Sequence, residues 1–172
     1  GGCKMDGARI DVNSCQGAKV GTPVPFEGAK FQWLSANVVV TATGQTLLPA
    51  YGVKRFQGVP VAFIGMTLKD TPGIVVPTGV AGLEFRDEAA TVNALVPTLR
   101  AEGIEAIVVL VHEGGMQTGP QQDINQCVGN LAGSPIARIV GQLDAAVDVF
   151  ISGPTHAAYN CRRPHAKGGL VP

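Results

Sequence analysis

Hydrophobic positions along this chain change period several times, and each change marks an element. Residues 31–40 (FQWLSANVVV) are rich in aromatic and β-branched side chains and predict a strand, with Phe31 and Trp33 alternating toward a core. Residues 51–56 and 59–68 flank Gln57-Gly58 and predict a hairpin whose second strand is almost wholly apolar. Residues 69–83, with Pro72, Gly73, Pro77, Gly79 and Gly82, predict a long surface connection.

The period then switches to helical. Val92, Leu95, Val96 and Leu99 fall on one face of a predicted helix over 87–102, with Gly103 placed to end it and Pro97 expected to kink it or cost it a hydrogen bond. The run 104–111 is apolar except for Glu105 and predicts a strand buried on both faces. Ser134 as N-cap and Pro135 at the first helical position open a second helix with Ile136, Ile139, Val140 and Leu143 on one face. A strand over 147–151 completes a β-α-β unit, so it is expected to run parallel to 104–111. By contrast, residues 1–30 are Gly-, Pro-, Ser- and Asn-rich with little periodicity, and predict an irregular loop stapled by Cys3 and Cys15.

Composition narrows the functional classes. At 172 residues and 45% hydrophobic the chain is expected to close a core as a single domain, 1–172. Its net charge is zero and its cations are scattered except for Arg162-Arg163, which argues against a nucleic-acid partner. No apolar run approaches the roughly 20 residues of a membrane helix. Four cysteines without C-x-x-C spacing argue against a zinc ribbon and for two disulfides, Cys3–Cys15 and Cys127–Cys161, in an oxidising compartment. Four buried thiols in a cytosolic domain is the alternative.

Candidate chemistry sits where the two predicted parallel strands end. Val111-His112-Glu113-Gly114-Gly115 follows the first and Ser152-Gly153-Pro154-Thr155-His156 the second, and open α/β sheets place ligands beyond the carboxyl ends of their strands. Imidazole suits divalent transition metals, so His112 and His156 are candidate ligands of one site. Two histidines that are simply satisfied polar groups is the competing reading, because metal sites take about three or four ligands. Glu113 is open to three readings: a ligand, a partner that orients His112, or a solvated charge.

The stretches 31–39, 61–75, 79–115 and 134–161, including VHEGG and SGPTHAAYNC, resemble bacterial 5'-nucleotidases and 2',3'-cyclic-nucleotide phosphodiesterases of the calcineurin-like metallophosphoesterase superfamily. The resemblance implies an α/β fold: part of a metallophosphoesterase sandwich, a mixed sheet with a parallel β-α-β unit and flanking helices. It further implies a periplasmic or secreted hydrolase that acts on nucleoside 5'-phosphates in nucleotide catabolism. Two divalent metal ions (Zn, Mn, Co or Mg) serve such enzymes. Carried over by residue, His112 matches the strand-end ligand and His156 the last ligand of the final motif, whereas Pro154 stands where that motif has another histidine. The family's earlier D-x-H, G-D and G-N-H motifs are not found in the chain, which resembles the C-terminal half of the catalytic domain. The chain alone is therefore expected to be an incomplete, inactive fragment, with no metal necessarily bound and an apolar sheet face exposed for self-association. A non-catalytic relative acting as a binding or interaction module is the alternative, and a small, complete binding protein unrelated to phosphoesterases is a third reading.

Overall fold

The computed structural model describes residues 29–118, 123–162, 164 and 172, and the backbone alone of residues 5–6, 9–10, 163 and 170–171. The chain divides into two compact units, Gly1–Gln32 and Trp33–Pro172. In the first, β1 (Met5–Asp6) and β2 (Arg9–Ile10) pair antiparallel, a small ladder where an irregular loop was expected. The expected Cys3–Cys15 bridge lies outside the described residues.

The second unit is built on a four-stranded mixed sheet. β4 (Tyr51–Phe56) and β5 (Val59–Met66) form the expected hairpin around Gln57 and Gly58. Both turn residues have positive φ, 50° and 88°, which suits the two-residue turns that match strand twist. β5 then runs parallel to β7 (Ala106–Val111), and β7 parallel to β8 (Val149–Ser152), so the sheet order is β4-β5-β7-β8.

The connection after β5 does more than cross the surface. It holds two short 3₁₀ turns and then β6 (Leu83–Phe85), which pairs antiparallel with β3 (Val38–Val40). Only these three residues of the expected 31–40 strand enter a ladder. Phe31 and Trp33 are each 63% exposed and are not core residues, a correction to the alternation reading.

The helices follow their caps. The Asp87 carboxylate accepts the Ala90 amide at the start of α1 (Glu88–Ala101), and Ser134 Oγ accepts the Ala137 amide at the start of α2 (Pro135–Gln142). α1 runs through Pro97 and ends before Gly103, whose φ of 75° is the left-handed conformation glycine adopts without strain. Asn93 joins the helices: its amide donates to Gln142 O (2.8 Å) and its carbonyl accepts the Asp144 amide (2.7 Å).

Among the described residues, α1 and α2 pack on the same face of the sheet. Ala62, Ile64 and Met66 of β5 and Ile107, Val109 and Val111 of β7 are buried with Val92, Val96 and Leu99 of α1 and Ile136 and Val140 of α2. The expectation that 104–111 is buried on both faces is therefore corrected. Its residues alternate, with Ala106, Val108 and Leu110 only half-buried. With Phe56 (54% exposed), Val59 (56%) and Ile151 (52%) they leave an apolar second face. Gly65 is covered on that side, because a Cβ there would lie 2.6 Å from Leu34 O. Gly65→Ala is expected to lower stability by about 1–3 kcal/mol in a denaturant melt, the range for overpacking.

Candidate functional site

β5, β7 and β8 are adjacent and parallel, so their carboxyl ends open on one edge of the sheet. Both candidate histidines emerge there. The His112 amide donates to Met66 O (3.1 Å), which fixes the first residue after β7 to the last residue of β5. His112 is exposed, the next residue Glu113 is half-buried, and Gly114 and Gly115 are buried.

The two glycines are where the neighbouring loops press. A Cβ on Gly114 would meet Thr155 Oγ1 at 3.0 Å and Pro154 Cδ at 3.1 Å, and one on Gly115 would meet Leu131 Cδ1 at 2.6 Å and Ser134 Oγ at 2.7 Å. Small residues here let the loop after β8 seat on the loop after β7. Thr155 Oγ1 donates to Gly115 O (2.7 Å), and the Gly153 amide to Glu113 O (3.4 Å). Glu113 turns its own carboxylate inward on the loop, accepting the Gly114 amide at 2.7 Å.

Pro154 is half-buried against Gly114, and His156, two residues on, is exposed with φ 52°. The loops are joined again further along. Gln117 Nε2 donates to both Ile124 O and Ala158 O (3.3 Å each), while Gln117 Oε1 accepts the Val128 amide (3.3 Å). The Asn160 amide donates to Ile124 O (2.8 Å). Cys127 and Cys161 are disulfide-bonded, with their Cα atoms 5.8 Å apart.

Gln117, Thr155 and Asn160 were not anticipated from the sequence. The available signal was weak: polar residues in Gly-rich loops are ordinary, and their cross-loop partners are backbone groups 36 to 41 positions away, which no local pattern reveals.

Among the described residues, no cluster of three or more His, Cys, Asp or Glu side chains could hold a metal ion. His112 and His156 thus fall short of the donor set for a closed centre. A cavity of about 410 Å³ lies elsewhere, between α2 and the β8 edge, lined largely by aliphatic groups such as Leu131, Ile136 and Val140. Tyr159 and Ser152, hydrogen-bonded to each other, supply its polar wall. Neither candidate histidine lines it. Among the described residues, no helix is long and apolar enough to cross a membrane.

No family model matches the chain. Among individual proteins it is similar to Endonuclease YhcR of Bacillus subtilis (strain 168), 33% identical over 135 residues, which cover 78% of this chain and 10% of that protein. It is also similar to the 5'-nucleotidase of Vibrio cholerae serotype O1, 35% identical over 94 residues, covering 54% of this chain and 17% of the relative. Among solved structures, the 5'-nucleotidase precursor of Thermus thermophilus superposes with a TM-score of 0.61 at 23% identity, over 83% of this chain and 27% of that one. The chain therefore spans a small part of each of these proteins. The mixed sheet with its strand-end loops and the similarities agree: the chain shares the fold of a 5'-nucleotidase precursor and a calcineurin-like phosphoesterase, and its sequence is similar to part of several 5'-nucleotidases.

Proposed function

We propose that the chain is the C-terminal part of the catalytic domain of a metal-dependent phosphoesterase that hydrolyses nucleoside 5'-phosphates, and that His112 and His156 are its contribution to the metal centre. The observation that carries this reading is the convergence of the two histidine loops, tied together at the carboxyl ends of neighbouring parallel strands. Two imidazoles need further ligands, which in this reading come from residues outside the chain. Divalent ions at such a centre neutralise phosphate charge and acidify a bound water.

Several features favour particular details. Zero net charge without a basic stripe favours a mononucleotide over the polynucleotide that the word endonuclease implies for one relative. The Cys127–Cys161 bridge favours a periplasmic or secreted location. The apolar sheet face bearing Phe56, Val59 and Ile151 favours burial against a second sheet of the same domain. In its absence that face is expected to drive self-association of the 172-residue chain, seen by light scattering as dimers or larger species. A strictly monomeric profile would count against the fragment reading.

Pro154 supports a second reading, a relative that has lost catalysis and serves as a binding module, because proline has no lone pair to offer a metal where the family's motif has a histidine. Phosphate release from a nucleoside 5'-monophosphate by the longer protein, with manganese, zinc or cobalt supplied, separates the two. Metal-dependent release supports the first reading, and none with any metal supports the second.

A further inference from the structure

We infer that the Cys127–Cys161 disulfide and the side chain of Gln117 form one latch, which holds the loop of His156 in a left-handed backbone conformation against the loop of His112. Its role in a metal centre rests on the function proposed above, but the latch itself is read from backbone geometry.

Among the described residues outside the β4–β5 hairpin turn, the non-glycine residues with positive φ are Cys127 (57°) and His156 (52°), one in each loop. The left-handed region is unfavourable for residues with a Cβ and persists where surrounding contacts over-determine it, often at functional positions. The contacts around His156 have that character. Before it, Thr155 Oγ1 is held by Gly115 O, and after it the Ala158 carbonyl is held by Gln117 Nε2. Asn160 is then pinned through its amide to Ile124 O and through its side chain to Asn125 Oδ1 (3.0 Å), and Cys161 follows in covalent linkage to Cys127.

Gln117 is the point where the loops cross. One amide group serves Ile124 and Val128 of its own loop and Ala158 of the other. Val128 is the next residue after Cys127, so the glutamine steadies the strained half of the bridge while the bridge limits how far residues 153–161 can lift. Both components act on the residues that follow His156, so removing either one loosens that side and lets His156 relax toward negative φ.

NMR of the isotope-labelled 172-residue chain tests this with three proteins: wild type, Cys127→Ala/Cys161→Ala and Gln117→Ala. The wild type is expected to show the strong intraresidue HN–Hα NOE of a positive-φ residue at His156. In both variants that NOE weakens and amide exchange at Asn160 accelerates at least about tenfold, while core amides such as Val109 stay protected. If the double cysteine variant loses core protection as well, Gln117→Ala alone decides. Persistence of the His156 NOE and of slow Asn160 exchange in the folded variants overturns the latch. Addition of Mn²⁺ to the longer protein, in which the remaining ligands are proposed to lie, tests the separate reading of the histidines: broadening of the His112 and His156 ring signals supports it. A latch that opens as described with no broadening of either ring leaves the latch standing and removes its link to a metal.

Discussion

His112→Ala and His156→Ala, each introduced into the longer phosphoesterase of which this chain is proposed to be a part, are expected to lower metal-dependent hydrolysis of a nucleoside 5'-monophosphate by about a hundredfold or more. Replacing residues that merely orient a ligand already costs about 10- to 100-fold, and these two are proposed as the ligands. Both side chains are exposed at the sheet edge, so neither substitution opens a cavity, and the melting temperature is expected to stay nearly constant. Pro154→His adds a discriminating arm. If the remaining ligands are present in the longer protein, a restored imidazole should raise activity, and if they have been lost, hydrolysis stays at zero. Loss of activity that tracked a falling melting temperature would assign the histidines a structural role instead.

Leu99→Ala is the substitution expected to cost the most stability, about 2–5 kcal/mol in urea or thermal unfolding. Leu99 is fully buried near the end of α1, on the apolar face shared with Val92 and Val96 that seats on the sheet. Removing its side chain leaves a cavity in the close-packed core cluster, whose neighbours cannot fully collapse into it. A loss below about 1 kcal/mol would mean that this face is not the centre of the core.

The elements that could be read from sequence were those whose signals are local. Ser134 announced the start of α2, Gly103 the end of α1, and Gln57-Gly58 the hairpin, because each acts through bonds to near neighbours. The β-α-β grammar likewise predicted the parallel pairing of β7 with β8. What the sequence hid was partnership at long range. The aromatic alternation of residues 31–40 suggested one long strand, but the ladder stops at the three residues facing β6, itself drawn from a Gly- and Pro-rich connection. The run 106–111 looked doubly buried because its outward residues, Ala106, Val108 and Leu110, are as apolar as its inward ones. An apolar face without cover gives no sign in the sequence of that lack.

The candidate site was legible in the same partial way. His112 and His156 were found because each follows a predicted parallel strand. The contacts that bring their loops together were not, because a glutamine amide or a threonine hydroxyl bonding to a distant carbonyl carries no motif. Pro154 was visible only through the family resemblance, and its contact with Gly114 shows that this position is occupied by packing.

The most direct test of the central claim is phosphate release from a nucleoside 5'-monophosphate by the longer protein before chelation, after chelation, and after a divalent metal is returned. The expected result is hydrolysis that chelation abolishes and manganese, zinc or cobalt restores. Hydrolysis indifferent to chelation, or none with any of these metals, would contradict it.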